Sequence, residues 1–225
     1  MDSNEYPRFT RLAAIFLSWA VMACALLACA PTSAAAAEDM TPAVTDKRPD
    51  GASESSMVHS IVDYAQDVGE EAQRISEEAR KAQVVKRAKE RAKAEGSATD
   101  YCIAVDVTEH RTVVMKRKGD GWKVVKYWVC STGAPDMPTI LGSFEVGDRG
   151  YSFGDWEGYT CYYWTQFSGN YLFHSVKYEP GTFDIQDGRL GEDVSEGCVR
   201  LDIENAQWIH DTIPEFTRVI TYVHD

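Results

Sequence analysis

From residue 101 onward the apolar positions alternate with polar ones, which is the signature of half-buried strands. The pattern predicts strands over 101–107 and 112–117, joined at Glu109-His110. The Lys118-Gly119-Asp120-Gly121 turn then leads into a third strand over 122–129. Residues 142–146, 160–167 and 218–223 read as further strands. Between the last two the period changes. Ile203, Ala206, Ile209 and Ile213 share one helical face, with Asp202 placed to cap it. About seven strands and one helix make residues 97–225 a mainly β, β-rich α+β domain, long enough to bury one core.

Upstream the period is helical. Ile61, Ala65, Val68, Ala72, Ile75, Ala79 and Ala82 recur at alternating steps of four and three, a heptad stripe. The predicted helix covers 60–96, with Ser60 able to cap its start and Gly96 its end. Residues 63–78 hold six acids and one base, and residues 80–95 hold seven bases and two acids. That polarity suits the helix dipole. Two readings stand: a weak coiled-coil dimer, or a single solvated helix that spaces the β domain from whatever precedes it. Residues 38–59 are polar and aperiodic and read as a flexible linker. Residues 12–30 form an uncharged apolar run preceded by Arg8 and Arg11 and followed by the small-residue stretch 33–37, the order of an export signal. Nineteen residues are also enough to span a bilayer. Residues 1–37 are thus a signal peptide cut after Ala34-x-Ala36, a lipid anchor at Cys29, or a retained membrane anchor. All three place the rest of the chain outside the cytoplasm, in the cell envelope or secreted.

Charge narrows the partners. The chain of 225 residues has a net charge of −12, and residues 97–225 alone carry 11 bases and 20 acids. Nucleic acid is a poor partner for such a domain. Four cysteines follow the leader: Cys102, Cys130, Cys161 and Cys198. None has zinc-site spacing. If Cys198 is kept free, the other three allow at most one disulfide, whose pairing is open.

The chemistry concentrates between residues 174 and 200. In Ser195-Glu196-Gly197-Cys198 the glycine permits a tight turn, and successive amides there can converge on one oxyanion. A cysteine nucleophile needs a base. His59 lies in the linker, His110 in a hairpin turn, His210 beside Asp211 on a helix and His224 in the tail. His174 follows an apolar segment and can end a strand, which makes it the best candidate. The competing reading is a small core thiol and a structural imidazole.

His174-Ser175 followed by SEGCVRL (195–201) closely resembles the signature of the L,D-transpeptidase (YkuD-type) family of peptidoglycan enzymes. CSTGAPDMPTILGSFEV (130–146), the opening hairpin and the closing helix and strand resemble further family segments in the same order, over about residues 100–224. The resemblance implies a mixed-sheet sandwich with one C-terminal helix, preceded here by the long single helix. It implies that Cys198 attacks a stem tetrapeptide, with His174 as base, the Ser175 carbonyl orienting the imidazole and the amides of Gly197 and Cys198 receiving the oxyanion. It implies cross-linking of stem peptides or attachment of a protein to the wall, with neither cofactor nor metal. Arg200 would bind the donor carboxylate or brace the loop, and Trp164 and Tyr171 would line the donor groove. The sequence departs from the pattern twice. Glu196 stands where the family usually has His, where it would raise the thiol pKa or hold the acceptor ammonium. The 20 residues between His174 and Ser195 are also more than usual, and the excess reads as a loop or lid. The rival functions on the same site are an L,D-carboxypeptidase or endopeptidase, and an inactive wall-binding module.

Overall fold

The computed structural model describes residues 54–224. The expected leader and most of the expected linker therefore lie outside the described residues. Helix α1 runs Glu54–Glu95, beginning six residues before the expected cap at Ser60. It ends where Gly96 takes φ +69° and donates its N–H to Ala92 O at 3.0 Å.

The alternating segments form a five-stranded sheet. Strands β1 (Tyr101–Asp106), β2 (Arg111–Lys118) and β3 (Gly121–Val129) make an antiparallel meander. After β4 (Thr132–Gly133), strand β5 (Gly142–Glu145) joins the far edge. The closing strand β13 (Arg218–Tyr222) runs parallel to β1 and antiparallel to β5, giving the order β3-β2-β1-β13-β5. A second sheet holds β6 (Arg149–Phe153), β7 (Cys161–Ser168), β8 (Tyr171–Ser175) and β12 (Val199–Leu201) in the order β12-β8-β7-β6. Two short pairs complete the β structure. Strands β9 (Lys177–Tyr178) and β10 (Ile185–Asp187) form a hairpin, and β11 (Asp193–Ser195) runs beside β4. These short strands escape the periodicity because two or three residues carry no readable alternation, and β6 because none of its five residues is fully buried.

Period-two geometry places the core. Ile103, Val105, Val114 and Val219 from the first sheet meet Phe167, Phe173, Val199 and Leu201 from the second. Helix α2 (Ile203–Thr212) lies against β7 and β8 and adds Ala206 and Ile209. Asp202 caps it as expected, accepting from Glu204 N at 3.1 Å.

The other face of the first sheet is also covered. Cys102, Ala104, Val113, Met115, Ile220 and Tyr222 pack against Val84, Ala88 and Ala92 of α1. Strand β1 is consequently buried on both faces. The helix is thus not a stalk along its whole length. Its buried positions step by four from Val84, whereas Ile61 and Ile75 of the heptad stripe are 67% and 57% exposed. Ion pairs fasten the docked part. Arg87 Nη2 donates to the fully buried Asp106 carboxylate at 2.9 Å, and Arg80 pairs with Glu109. No helix among the described residues is long and apolar enough to cross a membrane.

Candidate active site

Strands β8 and β12 run parallel with Phe173 opposite Val199 and His174 opposite Arg200. Alternation sends Phe173 and Val199 into the core and turns His174, Cys198 and Arg200 to the other face. There they line one cavity of about 700 Å³ with Trp164 and Glu196. Two sequence-distant motifs therefore meet because β12 pairs directly with β8.

The turn before Cys198 has a built-in staple. Ser195 Oγ donates to Cys198 O at 2.6 Å and accepts from Gly197 N at 3.2 Å. Gly197 has φ +106°, and a Cβ there would lie 2.7 Å from the Tyr171 ring. Glycine is therefore required twice, by its dihedral and by the close aromatic. The Gly197 amide, expected as an oxyanion donor, instead faces the Ser195 hydroxyl. Tyr171 packs behind this turn and lines an adjoining cleft with residues 136–141 and Glu196, not the main cavity expected for it. Trp164 does line the cavity, over Gly150, whose missing side chain makes room for the indole.

His174 is buried, with its Nδ1 2.6 Å from Ser175 O. A carbonyl can only accept, so Nδ1 carries the hydrogen and the neutral ring presents its lone pair at Nε2. Phe153 contacts the imidazole edge-on at 5.3 Å. Ser175 itself is fully buried. Its hydroxyl accepts from Tyr162 N and donates to Val176 O, each at 2.8 Å, which ties β8 to β7 at that carbonyl.

Burial dominates the ionisation of both groups. It pushes the His174 pKa down to about 4; the Ser175 hydrogen bond opposes this, and the charges of Arg200 and Lys177 reinforce it. Burial pushes the Cys198 thiol up to about 11. The Leu172 backbone lowers it, Glu196 raises it further and Arg200 lowers it. The thiol donates to Asn170 O at 3.4 Å. The resting pair is thus thiol and neutral imidazole through the neutral range.

Cys102, Cys130 and Cys161 are buried free thiols, so the one bridge that the sequence allowed does not form among the described residues. Cys161 lies on the cavity wall, a placement nothing in its sequence context signals. The long segment after His174 contributes Lys177 to the wall, while its tip is held elsewhere. Phe183 stacks on Tyr162 at 4.8 Å, and Gln186 Nε2 donates to Gly158 O at 2.8 Å.

Cys198, after the Ser195-Glu196-Gly197 turn, and the carbonyl-oriented His174 thus line one cavity. The L,D-transpeptidase catalytic domain (YkuD) matches residues 100–221, more than half of the chain. The chain belongs to the L,D-transpeptidase family. It is 33% identical over 132 residues to YciB of Bacillus subtilis (strain 168), provisionally named an L,D-transpeptidase, covering 52% of this chain and 63% of that protein. The chain thus spans less than two thirds of that relative. Among solved structures, a fused Zn-dependent amidase/peptidase/peptidoglycan-binding domain-containing protein from Clostridium acetobutylicum ATCC 824 is 35% identical. That match covers 62% of each chain with a TM-score of 0.49. An L,D-transpeptidase from Mycobacterium smegmatis is 25% identical over 55% of this chain and 58% of that one, with a TM-score of 0.44.

Proposed function

We propose that this chain is a peptidoglycan L,D-transpeptidase working through a Cys198 acyl-enzyme. The observation that carries the reading is the tautomer of His174. With Nδ1–H engaged by Ser175 O, Nε2 is the lone pair available to a thiol in the same cavity. In the first half-reaction Nε2 takes the Cys198 proton as Sγ attacks the carbonyl of the third residue of a donor stem tetrapeptide. The imidazolium then protonates the departing amine, and the terminal D-alanine leaves. In the second, an acceptor amine gives its proton to Nε2 and attacks the thioester, which returns the thiol and forms the new amide. The Cys198 amide is the oxyanion donor of this scheme, since the Gly197 amide serves the turn. The residues that build this route are all protein groups. The apolar segment 12–30 fits export of the domain to the envelope, where stem peptides lie.

The test is incubation with defined tetrapeptide muropeptides and mass spectrometry of protein and products. The expected result is an acyl adduct mapped to Cys198, release of D-alanine and a cross-linked dimer, all lost in Cys198→Ala. Tripeptide without cross-link assigns the site to a carboxypeptidase. An adduct on Cys161, or turnover by Cys198→Ala, sinks the proposal.

A further inference from the structure

The cavity floor contains a buried cation whose countercharge comes from a segment outside every recognised motif. Arg200 is 1% exposed, and its Nε has no partner among the described residues. Its Nη1 donates to Asp187 Oδ2 at 2.9 Å. Asp187 ends β10 in the long segment between His174 and Ser195. The same carboxylate accepts from Arg189, through Nη2 at 2.9 Å and Nε at 3.0 Å. A guanidinium does not shed its proton on burial, so it needs an anion beside it.

Arg200 also lines the cavity that holds Cys198 and His174. It stands opposite His174 in the β8–β12 register and two residues beyond Cys198 on the same face. We infer that Asp187 is a positioning residue for the reaction at Cys198: it anchors Arg200 in the cavity floor and offsets the positive field that Arg200 exerts on the Cys198–His174 pair. This rests on the catalytic reading proposed above and adds to it a residue outside the motifs. It also gives the unusually long segment a role other than covering the cleft.

Other charged or titratable groups line the same cavity and set the background, the buried Cys161 thiol of β7 among them. Glu196 comes from the preceding turn, Glu157 and Tyr159 from the segment after β6, and Lys177 from β9. None of them touches the Arg200 guanidinium through an ion pair among the described residues, so Asp187→Asn changes the contacts of Arg200 and Arg189 and no other ion pair of the cavity. That carboxylate is the counter-ion that separates the field of Arg200 from a bare positive charge.

The experiment is alkylation of the intact chain by iodoacetamide from pH 6 to 10, with peptide mapping to read Cys198 apart from the buried thiols. With Asp187→Asn the field of Arg200 is uncovered and the thiolate is favoured. The rate at Cys198 then rises about three- to tenfold at a fixed pH, a shift of about 0.5–1 pH unit. Asp187→Glu restores the wild-type profile. In the Arg200→Gln background Asp187→Asn has a smaller effect, because only the direct charge of the carboxylate is left to remove and its hold on the guanidinium is already gone. Arg189→Gln, at an exposed position, leaves Asp187 to Arg200 alone and slows alkylation about twofold, whether or not Asp187→Asn folds. An Asp187→Asn profile identical to wild type overturns the inference, as does an unchanged Arg189→Gln profile where Asp187→Asn does not fold. Alkylation shifts in the variants together with no acyl adduct on wild-type protein given muropeptides overturn the transpeptidase reading and leave standing the hold of Asp187 on the field at the Cys198 thiol.

Discussion

Cys198 and His174 are individually common residues, and what the structure adds is that both line one cavity. Cys198 is partly exposed in a cavity, whereas Cys102, Cys130 and Cys161 are buried with thiols pushed up to about 12. Glu196 acts on the thiol of Cys198. It is exposed, lines the cavity and raises the thiol pKa through its charge, after burial has set the larger part. Glu196→Gln should therefore speed alkylation of Cys198 about two- to fivefold at pH 7–8, the effect of one exposed charge several Å away. Measured rates equal to wild type would leave Glu196 outside the electrostatics of the site. The motif was legible in the sequence because short-range spacing encodes it, and the candidate base by elimination among the five histidines and by the resemblance of its segment to the family signature. The Gly197 amide was not, because its partner, the Ser195 hydroxyl, depends on how the turn closes. Asp187 was not legible either, since a lone acid in a Gly- and Pro-containing loop carries no pattern.

Among the elements, α1 departs furthest from its sequence pattern. A heptad stripe announces an exposed or paired helix, and Ile61, Val68 and Ile75 are indeed exposed. The last turns follow a different rule, with Val84, Ala88 and Ala92 fully buried on the first sheet. Alanine at these positions allows close approach, so a stretch poor in large apolar residues still covers a sheet face. The two halves should therefore separate experimentally. A chain beginning at residue 79 should keep the melting temperature and the cavity chemistry of the longer one. A chain beginning at residue 97 exposes Cys102, Ala104, Val113 and Met115 and leaves the buried Asp106 without Arg87. It should melt lower by at least about 10 °C, because the apolar face that α1 covers is exposed to water and the Arg87–Asp106 ion pair is lost. Equal thermal melts for the two would show that the helix contributes nothing to the fold. Strands β1, β2, β3, β5, β7 and β13 and helix α2 came through in the sequence within a residue or so of their observed ends, because each has four or more residues of clear period.

For the molecule as a whole, the buried groups predict how stability responds to pH. His174 has a folded pKa of about 4 against an ordinary 6.5. The unfolded chain binds the extra proton between those values, so this contribution is present above pH 6.5 and is lost as pH falls toward 4. The thiols behave oppositely. Their folded values of about 11 to 12 lie above the ordinary 9, so their contribution is present below pH 9 and is lost as pH rises from there. Thermal melts should give a plateau between about pH 6.5 and 9 with a decline on each side. His174→Gln should flatten the acid side. An acid decline unchanged in His174→Gln would assign that limb to other groups.

What the sequence by itself determined is local: the strand and helix periods, the caps at Asp202 and Gly96, the tight turn at Gly197 and the pairing of a cysteine with a histidine as candidate chemistry. All but the last follow from neighbours within a few residues, where period, dihedral preference and spacing act directly, and the last from the resemblance of two separate segments to one family signature. The tertiary structure decided the rest. The β8–β12 pairing brings Arg200 beside His174, the β10 segment supplies Asp187, and the docking of α1 buries both faces of β1. Each joins residues far apart in the chain, and which distant partner a strand edge, a buried charge or a sheet face finds is set by packing the whole chain at once.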